Sequence, residues 1–184
     1  MNILDIIIGS VVIITLGCLF HFVYNFCHHD KFIGLFVAVN ESTWEHIKIA
    51  IIPSVIWCLY DVPLFGDNPN YFSAKFFSLL SLIISIPFLF YLYKIFTKKA
   101  ILPIDILIFC ICIIFSQTVF YSLLSVSQFS NTLNIVSLFG IFIIVICCPL
   151  FTVFPPKIFL FKDPVTGKYG YVDHKNHPHT HKHE

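Results

Sequence analysis

The stretch Asn40-Glu41-Ser42-Thr43-Trp44-Glu45-His46-Ile47-Lys48-Ile49-Ala50-Ile51-Ile52 decides how this chain is read. It holds two of the three glutamates in the sequence and runs without a break into apolar residues. Ionisable groups at the edge of a hydrocarbon-spanning segment are costly to keep there and mark functional sites by default. Ser42-Thr43-Trp44-Glu45 also fits a capping box, with Ser42 as N-cap and Glu45 at the third helical position. The stretch therefore predicts a helix start at a membrane boundary, with a polar cluster attached to it.

The apolar run that follows is one of several. Of 184 residues, 58% are hydrophobic and 11% charged, against roughly 25% charged in soluble domains. A soluble domain of this length could not bury so much apolar surface, so the bilayer is the expected solvent. Five segments reach the roughly 20 apolar residues that a crossing helix needs: residues 3–24, 44–64, 71–96, 101–124 and 133–154. The expected fold is an all-α integral membrane bundle of about five transmembrane helices over residues 1–156. The first segment has neither a basic n-region nor a small-residue cleavage site, and it is expected to stay in the mature chain. The Ile, Phe, Lys and Asn bias fits an AT-rich bacterial genome. With no arginine and a net charge of +1, nothing points to a nucleic-acid partner. The expected partner is the lipid bilayer, and a homo-oligomer is compatible with the sequence. Six of the seven cysteines lie in apolar runs and read as reduced packing residues.

Small residues Ala74, Ser78, Ser81 and Ser85 recur on one face of the third span, which lets a neighbouring helix approach closely. Gln117, Tyr121, Ser125 and Gln128 form a polar stripe on the fourth span. Both stripes are expected to face protein.

On the first span His21, Tyr24, Asn25 and His28 fall at i, i+3, i+4 and i+7, a polar stripe on an otherwise oily helix. Neither this stripe nor the start of the second span can face lipid cheaply, and a short connection tends to make two helices neighbours. The candidate pocket is therefore His21, Asn25, Asn40, Glu41, Ser42, Glu45, His46 and Lys48. Within it His21, Glu41, Glu45 and His46 form the candidate metal set, and a divalent metal is the cofactor such a set would take. Phe32 to Val39 is too short to cross and is expected to be interfacial or re-entrant, delivering Asn40 and Glu41 to the bundle. Asp105, just after Pro103, is a further candidate for the cluster, although a helix-dipole role also explains it.

Pro155-Pro156 ends the last span. Residues 157–173 contain Asp163-Pro164-Val165-Thr166-Gly167, a turn signal between β-prone runs, and predict a short cytoplasmic hairpin or flap. Residues 174–184 carry His174, His177, His179, His181 and His183 and read as a disordered tail with loose affinity for transition metals.

The motifs Asn40-Glu-Ser-Thr-Trp-Glu-His46 and Phe154-Pro-Pro-Lys-Ile-Phe-Leu-Phe-Lys-Asp-Pro-Val-Thr-Gly-Lys-Tyr-Gly170 resemble a family of small, uncharacterised bacterial multipass membrane proteins, a domain of unknown function. The resemblance covers most of the chain apart from the histidine tail. It implies a membrane protein in which the two motif regions matter, and it implies no activity.

Two function classes follow from the residues. The first is a membrane protein whose cytoplasmic-side polar pocket binds a cation, a proton or a lipid headgroup, in transport or as an accessory subunit. The alternative is a metal-dependent intramembrane hydrolase using His21, Glu41, Glu45 and His46. It ranks second because no HExxH pattern exists, and because Glu45 and His46 are about 100° apart on a helix.

Lysine placement orients the bundle. Lys31 and Lys48 flank the first connection, Lys94, Lys98 and Lys99 fill the third, and Lys157 onward follow the last span. The opposite connections carry Asp61 and Asp67 or no charge, with Lys75 the one exception. The positive-inside rule puts the N-terminus outside and the C-terminus in the cytoplasm of a bacterial cell membrane. Single cysteines placed at Asn68 and Lys98 in a cysteine-free chain are expected to label from opposite sides of sealed vesicles. Labelling from the same side contradicts this orientation.

Overall fold

A computed structural model describes residues 3–171; the histidine tail and the last two residues of the expected flap lie outside that range. Seven helices appear among the described residues, with no strand. They are α1 (Ile3–Phe26), α2 (Lys31–Gly34), α3 (Thr43–Ile56), α4 (Cys58–Phe65), α5 (Tyr71–Thr97), α6 (Leu102–Leu124) and α7 (Asn131–Val153), followed by a 3-10 turn at Phe159–Phe161. Four of them, α1, α5, α6 and α7, are long and apolar enough to cross a membrane. The expected second span is not one straight helix. It is the pair α3 and α4, bent by 42° at Trp57, and it makes a fifth crossing if counted as one broken span. Such a set of helices fits a multi-pass membrane protein.

The helices divide by what they face. Along α1, α5 and α7 large apolar side chains such as Phe22, Phe88 and Phe139 are exposed, which suits contact with acyl chains. In α3 the opposite holds: every residue from Ile47 to Ser54 is buried. Thus α3 is the axis of the bundle, with α1, α5, α6 and α7 packed around it.

Two local features let the neighbours come close. Pro53 has no N–H, so the Ile49 carbonyl loses its partner one turn on. Gly17 of α1 sits against that carbonyl; a Cβ at Gly17 would lie 2.9 Å from Ile49 O. On the other side Ser78 of α5 and Ser116 of α6 are fully buried and hydrogen-bonded at 2.8 Å. The stripe from Ala74 to Ser85 faces protein as its small size predicts.

The chain between α1 and α3 folds back on the bundle. His28 and His29 take positive φ values of 54° and 64° and turn the chain sharply. Asp30 then caps α2 through the Phe32 and Ile33 amides. Val37 to Asn40 are buried, and Ala38 N–H donates to Phe20 O of α1 at 3.3 Å. After α7 the Asp163 carboxylate accepts from the Val165 and Thr166 amides, and a single antiparallel bridge joins Lys162 to Tyr169. The flap is therefore a tight turn with one bridge. All seven cysteines are free.

Replacing Gly17 with leucine is expected to push α1 off α3 and cost about 1–3 kcal/mol through overpacking. Thermal unfolding in detergent checks this, and an unchanged melting temperature would show that the two helices do not meet there.

Candidate functional site

The first turn of α3 carries most of the polar cluster, and burial sorts its members into two groups. Glu45 and Lys48 point inward. Their side chains are 2% and 0% exposed and pair at 2.7 Å across one helical turn. The Lys48 ammonium also donates to Gly34 O at 3.0 Å and Thr152 Oγ1 at 2.7 Å. Its three protons thus meet three acceptors, on α3, α2 and α7. Glu45 Oε2 accepts a second bond from Val39 N–H at 3.0 Å. In a buried pair of this kind, loss of either partner leaves the other as an uncompensated charge.

The capping box is not formed. Ser42 is the N-cap residue, but its side chain makes no cap bond. Its N–H is taken at 2.8 Å by Asn40 Oδ1 rather than by Glu45. Glu45 goes to Lys48 because a neighbouring ammonium in a dry interior outbids a backbone amide that Asn40 can serve. Glu45 therefore leaves the expected metal set, and Lys48 is a structural cation rather than a pocket ligand.

Glu41 and His46 point the other way and meet α1. His21 Nε2 lies 3.6 Å from Glu41 Oε1, and the His21 and His46 rings are 5.5 Å apart between centroids. One ligand atom from each of His21, Glu41 and His46 lies within 4.8 Å of the others. His46 Nδ1 is 3.0 Å from the Ser42 carbonyl, which can only accept. The proton therefore sits on Nδ1 and the lone pair on Nε2, the tautomer that a metal-binding imidazole takes when a carbonyl orients it. Glu41 is 46% exposed and His21 25%, so the trio opens at the end of the bundle. Asn25 is exposed and takes no part. His46 also lines a cavity of about 30 Å³, together with Thr43, Phe90, Asp105 and Phe109 among others. Asp105 accepts a hydrogen bond from Tyr93 on its wall.

The two sequence motifs are docked on each other. Asn40 Nδ2 donates to Gly170 O at 2.8 Å, and Trp44 packs on Phe161 with centroids 5.0 Å apart. Gly170 has φ 68°, and a Cβ there would lie 3.0 Å from Thr152 O. Only glycine combines that conformation with so close an approach. Tyr171 OH donates to Lys31 O at 2.6 Å, and burial holds its phenol above the usual range. The flap thus closes the side of the pocket from which Lys48 reaches Thr152.

Sequence reasoning missed a second buried pair. Asp61 and Lys75, expected as loop charges, are 0% and 1% exposed and bonded to each other. The only signal was that Lys75 sat on the wrong side of the lysine distribution.

Compared with known protein families, residues 4–171 match a family of unknown function, DUF6512. The chain belongs to this family. No curated protein and no solved structure matches it. The family carries no assigned activity, so the chemistry rests on the geometry above.

Glu45→Gln and Lys48→Met are each expected to cost about 3–5 kcal/mol by leaving a buried partner unpaired. Ser42→Ala is expected to cost far less, since no side-chain cap is lost. Melting curves of the three variants check this order; a silent Glu45→Gln would contradict the pairing.

Proposed function

We propose that the protein is a membrane-embedded cation-binding protein, with His21, Glu41 and His46 as the ligands of a divalent ion, acting in transport or as an accessory subunit. The observation that carries this reading is the meeting of the three side chains: one ligand atom from each of His21, Glu41 and His46 lies within 4.8 Å of the others, and the Ser42 carbonyl holds His46 through Nδ1. Two imidazoles and a carboxylate suit a borderline ion such as Zn²⁺. The ligand atoms must contract from 4.8 Å to about 3.3 Å for bonds of about 2.0–2.1 Å. With three protein ligands and an open mouth, the site keeps positions for exchange, as a transport or delivery site needs.

The hydrolase alternative is weaker on the same geometry. One of its four candidate residues, Glu45, is held by Lys48. With the orientation expected from the lysines, the proposed site lies at the cytoplasmic face. Buried pairing of Lys75 with Asp61 supports that reading, because a neutralised, buried lysine does not act as a loop charge.

Metal titration of the purified protein, with the five tail histidines changed to glutamine, tests the proposal. One Zn²⁺ or Co²⁺ per chain is expected, weakened about tenfold or more by His46→Ala, His21→Ala or Glu41→Gln, and unchanged by Asn25→Ala. Equal affinity in the His46→Ala chain would overturn it.

A further inference from the structure

A second polar cluster gathers at the bend between α3 and α4, at the opposite end of the bundle from His21 and His46. Asp61 of α4 and Lys75 of α5 form its charged centre. The Lys75 ammonium lies 4.0 Å from the centroid of the Phe120 ring, and Tyr121 OH donates to Asp61 Oδ1 at 3.5 Å. The Trp57 indole faces Asp61 and Tyr121, and the Tyr71 hydroxyl faces Cys58 and Asp61.

Gln117 of α6 is the group that this pairing does not explain. It is 0% exposed, and neither its Oε1 nor its Nε2 has a hydrogen-bond partner in the protein. Trp57 Nε1, though it points toward Asp61 and Tyr121, also makes no hydrogen bond of good geometry. These atoms converge. A Cβ on Gly9 of α1 would lie 2.9 Å from Gln117 Oε1 and 3.0 Å from Trp57 Nε1, so the amide oxygen and the indole N–H border one spot beside α1.

An orphaned buried amide is destabilising, and leucine or methionine would fill the same position without that cost. What satisfies this set must accept from the indole and from Nε2, donate to Oε1, and fit between close-packed helices. Water meets all three conditions, and a buried water typically makes about three hydrogen bonds. We propose that the bend between α3 and α4 is an internal water-binding site, in which water held by Gln117 and Trp57 hydrates the Asp61–Lys75 pair. The site gives the bundle a polar station in its other half, independent of the cation site.

Radiolytic hydroxyl labelling in oxygen-18 water tests this on the full chain in nanodiscs. Bound water is the source of radicals at buried sites. Trp57 and Tyr121 are therefore expected to take up label although they are buried, and Gln117→Leu is expected to reduce that uptake several-fold. The same substitution is expected to lower the melting temperature by about 3 °C or more, because water loses its anchor. Should Gln117→Leu fail to fold, Gln117→Met, nearer in length, replaces it. Unlabelled Trp57 and Tyr121 in the intact chain would overturn the proposal. So would a raised melting temperature in the variant, the signature of a dry orphan relieved.

Discussion

The structure depends on one ammonium group. Lys48 sits at the axis of an apolar bundle, fully buried, with its three protons given to Glu45, Gly34 O and Thr152. A lone charge there would be prohibitive, and its cost is met only when α2, α3 and α7 are all in place. The same carboxylate that neutralises it also holds the Val39 amide. One ion pair therefore closes the loop that carries Asn40 and Glu41 and fixes the last turn of α7, from which the flap starts.

That constraint is what makes a site at the end of the bundle. Glu45 and His46 are neighbours in sequence and point about 100° apart on a helix. With Glu45 committed inward, His46 is turned toward α1, where His21 waits, and the loop anchored at Val39 brings Glu41 to the same place. The Ser42 carbonyl then sets the His46 tautomer. The flap reinforces this from the other side through Asn40 and Trp44, which accounts for the two motifs standing out together in the sequence.

Much of this was legible before the structure. Apolar length alone gave the helical bundle, because hydrocarbon thickness permits few other readings of such segments. The polar stripe on α1 and the polar start of α3 pointed to each other because neither tolerates lipid, and His21, Glu41 and His46 do meet. What the sequence hid was depth. Glu45 fitted a capping box and an i,i+3 pair with Lys48 equally well, and only burial decides between them. Asp61 and Lys75 resembled loop charges because a bend at Trp57 cannot be read from composition; the bend draws both inside. Gln117 and Tyr121 were expected to face protein and do, whereas Ser125 and Gln128 of the same expected stripe lie beyond the end of α6 and are exposed; what surrounds Gln117 depends on where α1 and Trp57 come to rest. Asn25 shares the periodicity of His21 yet lies past the point where α1 meets α3, so it stays exposed.

On this reading, α1 and the start of α3 jointly hold a cation. X-ray absorption on the Zn²⁺-loaded chain, with the tail histidines replaced, reads the ligands directly. Two imidazole nitrogens at about 2.0–2.1 Å are expected, with oxygen completing the shell. A shell of oxygens alone, or one containing sulfur from the buried cysteines, would contradict it.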